Sequence, residues 1–226
     1  MITITYYGHS NVLIQNERVK IVIDPFFTNN PLNTVSDIHA IKPDYIIVTH
    51  AHSDHIGDTV AIAKHSSALV VSNFEIVNRI RKSGINAHAL YISGTMSIPG
   101  GWLKFTPAAH GSSFEDGAYG GLAMGVLIHL DGKTIYHAGD TGLTYEFKGL
   151  GELYDIDLAL LPVGGNYTMD VKDAAVASRW LNARLVVPIH YDTWDLIKLH
   201  QEDIEEHLKP VVPVQLIAVG KSFCME

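Results

Sequence analysis

Residues 49–55 read T-H-A-H-S-D-H and form the densest group of potential metal ligands in the chain. Four candidates fall within six positions, directly after a buried-strand run at 45–48: His50, His52, Asp54 and His55. A regular strand would place side chains i, i+2 and i+4 on one face and i+5 on the other. That split suits two adjacent metals, one for the histidine pair and one for the aspartate with its neighbour. The alternative is a solvated loop whose histidines cap the following helix, but such dense spacing favours a metal site.

Three further side chains follow predicted strands and are candidates to complete such a site. His110 comes after the run 105–109, Asp140 after the run 133–137, and His190 after the run 185–189. Open α/β proteins place their ligand sites at strand exits of this kind. Each residue alone would more often be structural, but together with the first group they supply the missing ligands.

Composition and charge narrow the setting in which this site works. The 226 residues carry a formal net charge of −8, with 13 histidines and the single cysteine Cys224. We therefore expect imidazole and carboxylate, rather than thiolate, to hold any metal. One cysteine allows no internal disulfide, which fits a reducing, cytoplasmic location, and we find no signal-peptide pattern. The negative charge disfavours nucleic acid as a partner, and no apolar run approaches the ~20 residues of a membrane span.

The order of predicted elements indicates the fold class. Strands are predicted at 2–6, 11–15, 19–23, 45–48, 69–71, 102–108, 122–130, 133–137, 157–161, 185–189 and 214–219. Helices are predicted at 56–65, 73–83, 171–182 with Asp170 as its cap, and 201–208. Asp131-Gly132 is a hairpin signal between two of the strands. Two mixed sheets packed face to face, with helices outside, would bury the apolar strands, so we expect an α/β sandwich in one domain over residues 1–226.

These motifs resemble a known superfamily over essentially the whole chain. The histidine–aspartate spacing and the order of the later candidates are similar to the metallo-β-lactamase superfamily. Gly8-His9-Ser10, Asp24-Pro25 and the run P-V-G-G-N-Y-T-M at 162–169 resemble the bacterial and archaeal metal-dependent hydrolases within it. Those hydrolases are similar in turn to ascorbate-phosphate lactonases and to N-acyl-phosphatidylethanolamine phospholipases. The resemblance implies an αββα sandwich with its site at one edge, between the sheets.

The resemblance also implies a binuclear site. By this likeness one metal is held by His50, His52 and His110, the second by Asp54, His55 and His190, and both are bridged by Asp140. All seven matching positions are filled. These ligand types admit two divalent ions, zinc or manganese first, with iron, cobalt and nickel as alternatives. The oxygen-reducing di-iron branch has an acidic residue where His52 stands, so this histidine indicates hydrolysis rather than redox chemistry.

A site of this kind predicts how catalysis would proceed. Two metals sharing a water would lower its pKa, and the bridging hydroxide would be the nucleophile. We single out Asp54 and His9 as catalytic residues: Asp54 through the metal, and His9 by contacting substrate or protonating the leaving group. The alternative for His9 is a buried, hydrogen-bonded support. Asp24 is expected to orient a ligand histidine or the metal loop rather than to bind metal itself, and His137 is expected to support the ligands from behind or to be structural.

We therefore expect a hydrolase that acts on a small-molecule ester, lactone or phosphodiester, and the related lactonases suggest a homo-oligomer. Two alternatives stay open: a nuclease or phosphodiesterase acting on nucleic acid, and a metal-dependent ligand-binding protein without turnover. Only 49 residues separate Asp140 from His190, which leaves little room for the substrate-binding arm of RNA-processing enzymes. Candidates to line the pocket are Asn166, Tyr167, Thr168 and Met169, although Thr168 and Asp170 are also natural helix-start residues. Trp194, just after His190, is a further candidate, with a core position as its alternative.

Overall fold

The computed structural model describes residues 1–225, which form two mixed β-sheets with helices on both outer faces. The first sheet has seven strands: β1 (Ile2–Tyr6), β2 (Val12–Gln15), β3 (Lys20–Ile23), β4 (Tyr45–Ile47), β5 (Leu69–Ser72), β6 (Ala87–Ala89) and β13 (Lys221–Met225). The second sheet has six: β7 (Thr95–Ile98), β8 (Gly101–Pro107), β9 (Met124–Leu130), β10 (Lys133–His137), β11 (Leu158–Pro162) and β12 (Val186–Ile189).

Strand direction decides which strand ends share an edge. The first sheet has the order β13-β1-β2-β3-β4-β5-β6 and becomes parallel from β3 onward. The second has the order β12-β11-β10-β9-β8-β7 and is parallel across β10, β11 and β12. β2 is antiparallel to both β1 and β3, so β1 and β3 point in the same direction. In the same way β9 is antiparallel to both β8 and β10, so β8 and β10 point in the same direction. The carboxyl ends of β1, β3 and β4 therefore lie at one edge of the first sheet, and those of β8, β10 and β12 at one edge of the second.

Helices cover the outer faces of the two sheets. They are α1 (Ser53–Ile56), α2 (Thr59–Ser66), α3 (Phe74–Arg81), α4 (Glu146–Leu153), α5 (Val171–Leu181) and α6 (Gln201–Asp203), which continues as a π-helical turn (Ile204–Leu208). Two short 3-10 turns lie at Ile38–Ala40 and Asp195–Ile197. Within residues 1–225, none of these helices has the length and apolar character needed to cross a bilayer.

Three buried clusters hold the layers together. One lies between the sheets and joins Ile14 of β2 to Val126 of β9. A second packs Ala174 of α5 against Leu161 of β11, and the third packs α2 and α3 on β5 around Val70. Burial of apolar surface on both faces of each sheet is what stabilises this arrangement. The predicted αββα sandwich is therefore confirmed.

Most predicted elements are present with their ends shifted by one or two residues, but two predictions are wrong. The helix expected at 56–65 is divided, because Gly57 has a φ of +35° and ends α1 before α2 begins. The strand expected at 214–219 is replaced by an isolated bridge between Val214 and Val186, with Ile217 buried between the sheets. Apolar residues of the segment 214–219 thus pack into the core although the segment forms no continuous strand pairing. The last strand is instead β13, antiparallel to β1.

The helix α4 escaped prediction because of its glycines. Gly149 and Gly151 lower the helix propensity of this segment. A Cβ at Gly151 would lie 2.1 Å from the carbonyl oxygen of Trp180 in α5. Close packing of α4 on α5 thus requires glycine there, and the packing outweighs the weak propensity.

Candidate metal centre

Six strand ends bring the predicted site residues to one edge of the sandwich, between the sheets. In the first sheet β1 leads to His9, β3 to Asp24 and β4 to His50, and in the second β8 leads to His110, β10 to Asp140 and β12 to His190. Because these strands run in one direction within each sheet, their following loops meet at the same edge. Strand direction, rather than distance along the chain, therefore assembles the site.

Three histidine rings form the first group. Ring nitrogens of His50, His52 and His110 lie within 4.8 Å of one another. His50 Nε2 is 2.9 Å from His52 Nδ1. Burial lowers the pKa of all three rings, and that of the fully buried His50 falls well below its ordinary value. The rings are therefore neutral at neutral pH, with lone pairs available for a metal.

The second group combines a carboxylate with imidazoles. Asp54, His55 and His190 offer ligand atoms within 4.8 Å of one another, together with His9. Burial alone would raise the pKa of Asp54, but the hydrogen bond from His9 and the charge of His55 hold it well below its ordinary value. Asp54 is therefore ionised at neutral pH and is suited to a divalent cation.

One oxygen atom lies between the two groups. Asp140 Oδ2 is 3.7 Å from His110 Nε2, 3.3 Å from His55 Nε2 and 3.0 Å from His190 Nε2. Burial opposes ionisation of Asp140, but the adjacent His55 and His190 hold its pKa well below the ordinary value. The carboxylate of Asp140 therefore lies within 4 Å of ligand candidates from both groups.

The buried polar atoms of this edge test whether a metal fits. Within residues 1–225, Asp140 Oδ1 is buried without a hydrogen bond, and buried His55 Nε2 has the 3.3 Å ion-pair contact with Asp140 Oδ2 but no well-formed hydrogen bond. Buried polar atoms almost always have a partner, and leaving one unpaired costs about 1–3 kcal/mol. Imidazole nitrogens and carboxylate oxygens are ligands of zinc, manganese and related ions. The donor set and its unpaired atoms therefore fit divalent metal ions.

Asp24 orients one histidine of each group. Its buried carboxylate accepts hydrogen bonds from the Thr49 amide at 2.8 Å, the Thr49 hydroxyl at 2.7 Å and His55 Nδ1 at 2.8 Å. Since the Thr49 hydroxyl donates to Asp24, it accepts from His50 Nδ1, 3.0 Å away. Both rings thereby direct Nε2 toward the site. Burial lowers the pKa of His55, yet the Asp140 and Asp24 carboxylates outweigh it and raise that pKa well above its ordinary value.

His9 is fully buried behind Asp54. Its Nε2 is 3.0 Å from Asp54 Oδ2, and its Nδ1 is 2.8 Å from the Thr193 hydroxyl. Burial lowers the pKa of His9 to about 4, so the ring is neutral and donates one hydrogen bond to Asp54. This geometry fits the supporting role better than contact with substrate, and the catalytic role of His9 stays a prediction. Thr193 had no motif around it, and sequence analysis missed it.

His137 joins two of the loops. Its Nδ1 accepts a hydrogen bond from the Gly139 amide at 3.1 Å, and its Nε2 donates to the Ser10 carbonyl at 3.0 Å. The ring is fully buried and burial lowers its pKa, which keeps it neutral. His137 thus connects the loop of His9 to the loop of Asp140, in agreement with its expected structural role.

Three of the site residues have a left-handed backbone. The φ angles are +58° at His9, +46° at Asp24 and +56° at His190. Residues other than glycine rarely adopt this region, at a cost of order 1–3 kcal/mol each. The strand exits therefore turn sharply enough to aim these side chains between the sheets, and the surrounding core maintains the strain.

A cleft of about 780 Å³ opens onto both groups and includes His52, Asp54, His110, Asp140 and His190 in its wall. Phe26, Tyr167 and Trp194 also line it, so the two aromatic candidates do reach the pocket. Phe26 is a third aromatic that sequence analysis missed, because its Pro-Phe-Phe setting reads as core. The cleft is large enough for a small organic molecule.

Comparisons with known proteins identify a family, similar chains and similar structures. A family model described as a beta-lactamase superfamily domain matches residues 3–190. A UPF0173 metal-dependent hydrolase from Anoxybacillus flavithermus is 43% identical over 226 residues, covering 97% of this chain and 98% of its own. Another UPF0173 metal-dependent hydrolase, from Thermus thermophilus, is 47% identical over 198 residues, which cover 88% of this chain and 87% of that protein. Among solved structures, the metallo hydrolase Igni18 from Ignicoccus hospitalis matches with a TM-score of 0.89 at 35% identity, over 100% of this chain and 99% of that one.

Proposed function

Because the chain belongs to the beta-lactamase superfamily and to the UPF0173 metal-dependent hydrolases, we propose that it hydrolyses a small-molecule ester, lactone or phosphodiester with two divalent metal ions. The observation that carries this proposal is Asp140 Oδ2, which lies 3.7 Å from a ring nitrogen of His110 in the first group and 3.0 Å from one of His190 in the second. One carboxylate can thus serve two ions at once.

The two groups of side chains would divide the metals between them. One ion would be held by His50, His52 and His110, the other by Asp54, His55 and His190, with Asp140 shared. When bound, such ions lower the pKa of water and polarise a carbonyl or phosphoryl oxygen. Zinc or manganese suits this donor set best, and iron, cobalt and nickel are compatible with it.

The contribution of the protein is to hold these groups in place and to admit substrate from one side. Asp24 fixes the two buried histidines His50 and His55, and His9 holds the carboxylate of Asp54. Because these supports are themselves buried, the ligand atoms need little reorganisation when a substrate enters. The cleft brings the substrate to the exposed side of His52 and His110.

Metal content and turnover, measured on one preparation, test the proposal. We expect about two ions per chain and metal-dependent cleavage of a lactone, carboxyl ester or phosphodiester. Asp140→Asn should reduce metal content and lower kcat/KM by about a thousandfold. Asp157→Asn is the matched control, because Asp157 pairs with Arg184 and lies outside the cleft.

The outcomes separate this proposal from its alternatives. One ion per chain with full activity would contradict the shared role of Asp140. Two ions with saturable ligand binding and no product would favour a binding protein. Cleavage confined to RNA or DNA would favour the nuclease.

A further inference from the structure

The wall of the cleft has an uneven chemical character. Besides the candidate metal ligands, it presents the aromatic residues Phe26, Tyr167 and Trp194 and the acidic residues Asp58 and Glu115. Among the described residues that line it, none is a lysine or an arginine. Any charge on a substrate would therefore meet metal ions at the base of the cleft and carboxylates at its wall.

Two of the aromatic residues, Trp194 and the mostly buried Phe26, lie side by side near the second ligand group. Trp194 is 39% exposed, with its ring centroid 5.0 Å from that of His9 and 6.5 Å from that of Phe26. Tyr167 is 50% exposed and lines the same cleft. Large aromatic surfaces left open in a concave site favour apolar ligand groups, which gain free energy by covering them.

The charges near the opening are arranged against anions. Glu115 is exposed and lines the cleft, whereas the carboxylate of Asp58 already accepts hydrogen bonds from Phe27 and Thr28. Arg79 lies over the ring of Phe114, next to Glu115 in the sequence, and its Nη2 donates to both carboxylate oxygens of Asp116; it is not part of the cleft wall. Glu115 is therefore the charge that an incoming substrate would meet.

Resting on the proposed hydrolase function, we propose that the cleft selects an uncharged ester or lactone with an apolar acyl group, and disfavours anionic acyl groups and phosphodiesters. Hydrolysis of a carbonyl compound builds one negative charge, which two metal ions can offset. A phosphodiester is already anionic, and sites that transfer phosphoryl groups commonly add arginine or lysine to their metals. The described lining of this cleft includes aromatic residues and an exposed carboxylate but no arginine or lysine.

The reaction of such a substrate is balanced by water alone. The water oxygen forms a bond to the carbonyl carbon, and the bond from that carbon to the ester oxygen breaks. One proton of the water passes to the leaving alkoxide, which becomes an alcohol. The other proton is released, and the acyl product leaves as a carboxylate that the acidic wall helps to expel.

A pair of substrates with one scissile bond measures the charge preference. The para-nitrophenyl ester of hexanoate and the half-ester of adipate share the chain length of the acyl group and differ by a terminal carboxylate. With the metal-loaded protein, we expect kcat/KM for hexanoate to exceed that for adipate by about tenfold. Bis(para-nitrophenyl) phosphate should be cleaved more slowly than hexanoate.

Two variants assign the preference to residues. Glu115→Gln should lower the hexanoate-to-adipate ratio about fivefold, while Glu152→Gln, an exposed glutamate on α4 outside the cleft, should leave it as it was. The para-nitrophenyl ester of acetate serves as a short-chain reference. Trp194→Ala should lower the ratio of kcat/KM for the hexanoate ester to that for the acetate ester about tenfold, because the longer acyl chain loses the aromatic surface.

The same substrates keep the inference separate from the proposed function. Adipate or the phosphodiester cleaved as well as hexanoate would overturn the inference and leave the hydrolase intact. No turnover of any substrate would overturn the hydrolase, and calorimetry with the anilides of hexanoate and adipate would then decide the selectivity. Tighter binding of the uncharged anilide supports charge selection, and equal or weaker binding refutes it.

Discussion

Replacing Asp24 by asparagine exchanges one carboxylate oxygen for an NH2 group. Asp24 supports one histidine of each ligand group, His55 directly and His50 through Thr49. The carboxylate of Asp24 accepts three hydrogen bonds, two from Thr49 and one from His55, and none of its surface is exposed. Asparagine keeps one acceptor oxygen and turns an NH2 group toward donors. The substitution therefore removes a buried charge and leaves at least one donor facing another donor.

The size of the effect follows from these contacts. A hydrogen bond to a charged group contributes about 1.5–3 kcal/mol, and a buried donor without an acceptor costs about 1–3 kcal/mol. We expect Asp24→Asn to lower the free energy of unfolding of the metal-free protein by about 3–5 kcal/mol. Because Asp24 orients His55 directly and His50 through Thr49, metal affinity should fall about 10–100-fold at both ions.

Urea denaturation and competition with a chromogenic chelator measure the two quantities separately. Asp44→Asn is the matched control, since its exposed carboxylate also accepts a backbone hydrogen bond, from Lys20, but lies away from the site. The control should lose much less stability and keep its metal affinity. Metal affinity of Asp24→Asn within about threefold of the unsubstituted protein would refute the orienting role.

Two further predictions concern stability. His9 has a folded pKa of about 4 against 6.5 ordinarily, so the unfolded state takes up its proton first. In the metal-free protein, the contribution of His9 should be fully present above pH 6.5, and up to about 3 kcal/mol of it should be lost between pH 6.5 and pH 4, on top of the loss from the other buried neutral histidines; urea denaturation across that range measures the sum. Gly57→Ala should destabilise by about 2–4 kcal/mol, because a Cβ would lie 2.4 Å from the Pro25 carbonyl oxygen at a φ of +35°. The melting temperature of this variant, measured by thermal denaturation, should fall accordingly.

Each of these predictions has its own control. His9→Gln should make the loss of stability between pH 6.5 and pH 4 smaller by the contribution of His9, and parallel curves for the two proteins would assign the slope to other groups. Gly149→Ala, in a helix with open space around the site, should be neutral or stabilise by up to about 1 kcal/mol. Equal losses for Gly57→Ala and Gly149→Ala would contradict the close contact at Pro25.

The features that sequence analysis predicted are those encoded locally. The six positions from His50 to His55 are consecutive, and the later candidates each follow an apolar strand whose direction determines the edge at which they appear. The order of strands and helices was sufficient for the αββα sandwich. In these cases short-range pattern and chain direction carry the information, and no distant contact is needed.

Features that depend on distant contacts were not predictable in the same way. The hydrogen bond between His9 and Thr193 joins residues 184 positions apart. Helix α4 owes its existence to packing of Gly151 on α5, which no local propensity expresses. The last strand, β13, pairs with β1 at the opposite end of the chain. The strand therefore forms there and not in the more apolar segment 214–219 just before it. Tertiary packing decided each of these cases.

Every proposed metal ion would be held by residues from both sheets, with ligands after β4 on one side and after β8 or β12 on the other. The unfolded chain has no such site, so high affinity arises only when the sandwich is complete. Bound metal would link the two sheets at the edge where their strands end. Because metal binds the folded state, it would raise the free energy of unfolding by mass action. A protease that attacks opened chains would then spare the loaded form. Metal supply in the cell would set the lifetime of the protein as well as its activity.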